Sequence, residues 1–160
     1  MNIYCICIML IQERKLTHLF LLEMALENFF IYNKYNHTPL SGWEKNDTLS
    51  FDVPRLADAG TYQPQLGLRI NGAYPFMSLT LIVEQTVYPG KKVFIDTLNC
   101  KLRNQQGIST GQGISYYQYD YPLHTLELVK GDSLHISVRH DMKREILPGI
   151  SDIGIKYKQL

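Results

Sequence analysis

Between Leu49 and Tyr157, apolar side chains fall at alternate positions in seven separate stretches, and a period of two restricts this chain to β structure. The dry sets read Leu49, Phe51, Val53; Leu66, Leu68, Ile70; and Leu79, Leu81, Val83. They continue as Leu98, Cys100, Leu102; Tyr117, Tyr119, Tyr121; Leu134, Ile136, Val138; and Ile153, Ile155, Tyr157. The intervening positions are mostly polar, such as Ser50, Asp52, Arg69, Glu84, Lys101, His135 and Lys156. Successive strand side chains project to opposite faces, so each stretch has one face for water and one for a core. Turn signals separate the stretches: Asp58-Ala59-Gly60, Asn71-Gly72, Pro89-Gly90, the glycines at 107, 111 and 113, Gly131-Asp132, and Pro148-Gly149. Short strands without intervening helical patterns predict an all-β fold: an antiparallel β-sandwich of about seven to eight strands, with a barrel as the alternative.

The period is different near the N-terminus. Leu16, Leu19, Phe20, Leu22, Leu26, Phe29 and Phe30 largely follow helical spacing, while Glu23 and Glu27 share another face. This predicts a helix over about residues 14–30, acting at a membrane surface, packing on the domain, or arising from a wrong start codon. Asn36-His37-Thr38-Pro39-Leu40-Ser41-Gly42 reads as a polar linker. The expected organisation is an N-terminal extension over 1–35, helical or irregular, and a sandwich domain over 36–160. No stretch approaches the roughly 18–20 apolar residues of a membrane span. The apolar run Ile3–Ile11 precedes Glu13-Arg14-Lys15, the reverse of the order in a secretory signal.

The formal net charge is +1, and no run of basic residues exceeds Lys91-Lys92, so the basic stripe of a nucleic-acid binder is missing. Eleven Tyr and six Phe need burial, which argues against a disordered chain. Three cysteines, Cys5, Cys7 and Cys100, rule out a complete set of intramolecular disulfides. Cys100 lies on the apolar side of its strand and reads as a small buried hydrophobe.

Motifs that might carry chemistry lack their context. Gly107-Ile108-Ser109-Thr110-Gly111 fits G-x-S-x-G, but a nucleophile elbow needs a helix after the serine. Here Gly113 and a tyrosine alternation follow, as in a glycine-rich hairpin. His135 and His140 are five apart, so a regular strand sends them to opposite faces, and no cysteine or glutamate cluster joins them. His140 reads as a strand-end histidine with ordinary solvation. No catalytic, cofactor or metal-binding residue is assigned.

Four residues are candidates for partner binding. Trp43 is the sole tryptophan and precedes the first periodic strand, where it either closes one end of the core or meets a ligand. Arg69 lies on a wet strand face. Tyr116 falls outside the inward set of its tyrosine-rich segment. Arg144 sits in the mixed-charge turn Met142-Lys143-Arg144-Glu145.

The series Gly42-Trp43, Asp47-Thr48-Leu49-Ser50-Phe51, Leu68-Arg69-Ile70 and Tyr74-Pro75-Phe76-Met77-Ser78-Leu79 resembles the GldH family of gliding-motility lipoproteins. His140-Asp141-Met142-Lys143-Arg144, Leu147-Pro148-Gly149-Ile150 and Asp152-Ile153-Gly154-Ile155 follow in the same order, as does the glycine-rich loop Gly107–Gly113. The resemblance runs from about residue 32 to 160. It implies a cell-envelope protein, lipid-anchored through an N-terminal cysteine and facing the periplasm. It further implies a non-enzymatic binding or scaffold role, without cofactors, among envelope proteins of a motility or secretion-type complex. The sequence departs from the family just before Tyr32-Asn33-Lys34-Tyr35, where no acylation cysteine stands, and Cys5 and Cys7 come too early. A mis-called start or frame error in the first thirty or so residues would account for this, and a variant without the lipid is the alternative. A carbohydrate-binding sandwich module is the second functional expectation and requires at least two coplanar exposed aromatics.

Overall fold

The computed structural model describes residues 30–160. The expectation of an N-terminal helix and the readings of Cys5, Cys7 and the leader fall almost wholly outside the described residues. Eleven strands follow one another: β1 (Phe30–His37), β2 (Trp43–Glu44), β3 (Leu49–Val53), β4 (Gly60–Asn71), β5 (Ser78–Tyr88), β6 (Lys92–Lys101), β7 (Tyr116–Pro122), β8 (Leu126–Leu128), β9 (Ser133–His140), β10 (Ile146–Leu147) and β11 (Ile150–Gln159). They form one sheet in the order β1-β11-β4-β7, with β8 also on β4, and a second in the order β3-β9-β5-β6. A small ribbon pairs β2 with β10. The fold is the antiparallel sandwich that the alternation predicts.

The dry sets meet between the sheets. Leu66, Leu68, Ile70, Ile153, Ile155 and Tyr157 from the first sheet face Phe51, Leu79, Leu81, Val83, Ile136 and Val138 from the second, and all are buried. Truncating one such residue to alanine costs about 2–5 kcal/mol through lost transfer energy and a cavity. Cys100 is buried with them, as its register predicts, and burial pushes its thiol up to about 12.

Polar links also tie the layers together. The Tyr157 hydroxyl donates to Gln85 Oε1, and Gln85 Nε2 donates to Asp96 Oδ2 at 3.4 Å. The His124 ring and backbone N–H close on Asp96 from the β7–β8 loop. This satisfies buried groups that would otherwise each cost about 1–3 kcal/mol. Burial raises the Tyr157 pKa, so its hydroxyl keeps the proton it donates. From β7, the Tyr119 and Tyr121 hydroxyls donate to the Leu102 and Lys101 carbonyls, at 2.6 and 3.1 Å.

Beyond the seven periodic strands and the β2–β10 ribbon, two more strands join the first sheet. The short β8 pairs with the start of β4, Leu126 opposite Tyr62. Strand β1 occupies the edge beside β11, where the sequence pattern had an extension and a linker. Its anchor is Tyr35, which lies across Gly67 and Gly154, two glycines paired in register on β4 and β11. A Cβ on Gly154 would sit 2.5–2.7 Å from ring carbons of Tyr35. The glycines make a shelf for an aromatic ring, a recognised use of glycine inside a strand.

Candidate functional site

One end of the sandwich gathers the β1–β2 turn, the β4–β5 turn, the long β6–β7 loop and the β10–β11 turn. A cleft of about 320 Å3 opens there between Leu40, Asn71, Tyr116, Gly149 and Ser151. Gly149 holds its position for a geometric reason. Its φ is +79°, and a side chain would run into the backbone of Tyr74. Its carbonyl accepts the Asn71 N–H at 2.8 Å, which pins the turn to the end of β4.

The register of β11 slips between Ile150 and Asp152, a bulge that sets the floor of the cleft. Beyond it, Asp152 pairs opposite Arg69 on the outer face yet is only 5% exposed. The Ser151 hydroxyl donates to Asp152 Oδ2 at 2.6 Å. The exposed His37 places Nδ1 against Asp152 Oδ1 without hydrogen-bond alignment. Thr38 donates its N–H to the Ser151 carbonyl at 3.1 Å and its hydroxyl to the Ile150 carbonyl. These bonds fix the end of β1 as one wall of the cleft.

Apolar side chains stand open at this end: Leu40, fully exposed, and Tyr116, 57% exposed, belong to the cleft lining, and Ile114, Ile108 and Met77 are exposed in the loops beside it. Apolar side chains grouped on loops at one end of a sandwich suit contact with another molecule.

The four candidate residues separate here. Tyr116 lines the cleft. Arg144 is exposed in the turn between β9 and β10 at the same end and does not line the cleft. Arg69 is engaged within the molecule, where its Nε donates to Gln118 Oε1 at 2.8 Å and its guanidinium lies 4.1 Å from the Tyr35 ring centre. Lys156 approaches the same ring and bonds Asp120 at 2.7 Å. Partial burial pulls the Lys156 ammonium down, and its bonds to Asp120 and Tyr35 outweigh that, leaving it raised. Trp43 requires correction as a partner-facing residue. It is completely buried, its indole N–H donates to the Asp47 carbonyl at 3.0 Å, and it has no surface to offer.

His140 also departs from expectation. It is completely buried and edge-on to Trp43, with ring centres 5.3 Å apart. Its Nδ1 accepts the Met142 N–H, which leaves Nε2–H to donate to the Trp43 carbonyl at 3.2 Å. Burial lowers its pKa, so the ring is held neutral. His135 points the other way and pairs with Asp52 at 2.7 Å, as the five-residue separation requires. Among the described residues, no group of three or more His, Cys, Asp or Glu is placed to hold a metal ion.

Ser109 sits opposite Arg103 in a hairpin-like loop, and no helix follows it. The elbow geometry is therefore missing. In the tyrosine segment, Tyr119 and Tyr121 stack at 6.2 Å with planes 4° apart. Tyr119 is 8% exposed and Tyr121 is half-buried, so the stacked pair belongs to the core margin and Tyr116 is the exposed ring of the segment.

Sequence reasoning missed His37, Leu40 and Asp152. Alternation does put Asp152 on the outer face with Gly154 and Lys156, but its burial comes from β1, which the pattern does not show.

Known proteins resemble this chain at two levels. A family model described as GldH lipoprotein matches residues 30–157. A curated relative, the gliding motility lipoprotein GldH of Flavobacterium johnsoniae, is 30% identical over 132 residues, spanning 74% of this chain and 79% of the relative. A family GH115 4-O-methyl-alpha-glucuronidase aligns with a TM-score of 0.45 and 13% identity, over 82% of this chain and 18% of that one. A carbohydrate-binding module from Cellvibrio mixtus lichenase 5A aligns with a TM-score of 0.39 and 14% identity, over 83% of this chain and 91% of that one. Structural likeness at that level carries no functional inference. No helix among the described residues is long and apolar enough to cross a membrane.

Proposed function

Because this chain belongs to the GldH lipoprotein family, we propose that it is a non-enzymatic accessory component of a cell-envelope complex that engages a protein partner through its cleft-bearing end. The sandwich is the rigid body, and membrane attachment keeps it at the envelope, facing the periplasm. The partner is a protein of the motility or secretion-type machinery to which such lipoproteins contribute.

The observation that carries this reading is the apolar rim. Leu40 and Tyr116 stand open in the lining of a cleft whose walls are fixed by backbone hydrogen bonds, and Ile114 is exposed in the loop that leads into Tyr116. An exposed tyrosine on a rigid frame is suited to anchor a protein interface, and the exposed leucine beside it adds apolar area to bury. The exposed His37, set against buried Asp152, adds a polar group at the cleft wall.

Capture of partners from envelope membranes in mild detergent tests the proposal. The Leu40→Asp, Tyr116→Ser double variant should fold as the parent does, since both side chains are exposed, and should lose the proteins that the parent captures. Equal recovery of those proteins by the double variant would remove this end from the interface.

A further inference from the structure

The second sheet ends on β6, the last strand in the order β3-β9-β5-β6. It pairs with β5 in one unbroken register from Lys92 to Lys101. The direction of its remaining hydrogen-bonding groups follows from β5. There the Thr80 carbonyl accepts the Asp141 N–H at 2.9 Å, on the β9 side. Backbone groups alternate sides along a strand, so Val83 and Gln85 turn toward β6 and bond their partners there, Asp96 and Phe94. Val93, Ile95, Thr97 and Asn99 therefore direct N–H and C=O away from the sheet. Two bonds beyond this stretch keep the same parity: the Leu102 N–H donates back to the Met77 carbonyl at 2.9 Å, and the Lys101 carbonyl accepts outward, from the Tyr121 hydroxyl at 3.1 Å.

Two other edges are closed. On β7, Gln118 exchanges both backbone bonds with Gln112 of the β6–β7 loop, at 2.8 and 3.0 Å. On β3, the Ser50 carbonyl accepts Asn36 Nδ2 at 2.9 Å. Among the described residues, no backbone hydrogen bond reaches residues 93, 95, 97 and 99 from beyond the sheet. The same four residues carry exposed side chains, with Val93 49% and Ile95 60% exposed. A long, regular edge with β-branched side chains is a template for one more strand.

A second copy of this chain fits the edge poorly. Antiparallel pairing about a two-fold axis must set outward residues against outward residues. The register that uses all four places Val93 opposite Asn99 and Ile95 opposite Thr97. It also brings Lys101 of each copy opposite Lys91 of the other, like charge against like charge. A shift one way loses Asn99 to the turn, where Lys91 has φ +53°. A shift the other way runs Val93 onto the carbonyl that Tyr121 already holds.

We infer that β6 is a second docking edge, completed by an extended segment of another protein. That segment pairs with the backbone of residues 93–99 and sets apolar side chains beside Val93 and Ile95. The edge and the cleft are separate surfaces, and neither depends on the other.

The test places a photoreactive residue at Thr97 in the full chain and raises the cross-link in intact envelopes. A discrete adduct with a different protein is expected, joined through an extended segment of that protein as read by mass spectrometry. Ile95→Pro removes an outward N–H and leaves the bonds to β5 in place, so this variant should unfold in urea near the parent. Phe94→Pro breaks a bond to β5 and should unfold earlier. The adduct should fall about tenfold or more in Ile95→Pro, for the loss of one backbone bond and the bulk of the ring. Val93→Lys with Ile95→Lys charges the edge without touching its backbone, and should lose the adduct to the same extent even where the proline variant fails to fold. No protein adduct from position 97, an adduct joining two copies of this chain, or an undiminished adduct from the lysine variant would overturn the inference. Both variants retain Leu40 and Tyr116, so a partner held at the cleft is still captured and the two readings fail separately.

Discussion

Gly154→Ala should destabilise the domain, although alanine is ordinarily the better strand residue. Its backbone is not in the left-handed region, so conformational entropy alone favours alanine by about 0.5–1 kcal/mol. The new methyl would meet Tyr35 ring carbons at 2.5–2.7 Å and must lift the ring from its shelf. Lifting it forfeits the stacking of Arg69, worth about 0.5–1 kcal/mol at a partly exposed site. It also forfeits the hydrogen bond from Gln118 Nε2 to the Tyr35 hydroxyl, 3.0 Å long and worth about 0.5–1.5 kcal/mol. The loss exceeds the gain, for a net destabilisation of about 1 kcal/mol. In a Tyr35→Ala background the clash is gone, and Gly154→Ala should stabilise by about 0.5–1 kcal/mol. Urea unfolding of the four proteins measures this as a double-mutant cycle. With a slope of about 2 kcal/mol per molar urea, the midpoint should fall by roughly 0.5 M in one background and rise in the other. Midpoint shifts of the same sign and size in both backgrounds would refute the idea that Tyr35 packed on glycine holds β1 to the sheet.

Trp43→Ala should cost about 3–5 kcal/mol in urea unfolding, because it empties a fully buried site; a loss below about 1 kcal/mol would return Trp43 to the surface. Burial lowers the His140 pKa below its unfolded value, so the unfolded chain takes up a proton first as pH falls. The stability that neutral His140 contributes is intact above about pH 6.5 and is lost as pH drops toward the folded pKa. His140→Gln should remove that part of the slope between about pH 7 and 5, and an unchanged slope would contradict the buried, neutral ring. With its thiol pushed up to about 12, Cys100 should resist alkylation in the native protein and react once unfolded, as read by peptide mass spectrometry.

The sandwich was legible because alternation reports directly on which side chains face oil. Leu66, Leu68 and Ile70, or Ile153, Ile155 and Tyr157, leave no other use for a period of two. Strand β1 was not legible, because its two packed rings, Tyr32 against the core and Tyr35 on the outer face, stand three residues apart and leave no run with a period of two. Its burial pattern is irregular. The signal available was indirect: Gly67 and Gly154 interrupt the outer faces of two strands, and a glycine there implies something lying close. Parity separated His135 from His140, but the burial of His140 depends on Trp43 arriving from the β2–β10 ribbon, which no local pattern shows. The cleft is hardest to read from sequence. Asp152 and His37 meet only once β1 lies beside β11, and no local pattern encodes that pairing.

The assignment of the cleft-bearing end as a partner surface is tested most directly by photo-crosslinking in intact envelopes. A photoreactive residue is placed at Leu40 in one protein and at Lys92, at the far end of the sandwich, in another. Leu40 should yield a protein adduct of discrete mass, and Lys92 should not yield that adduct. A discrete protein adduct from position 92, with none from position 40, would contradict the assignment.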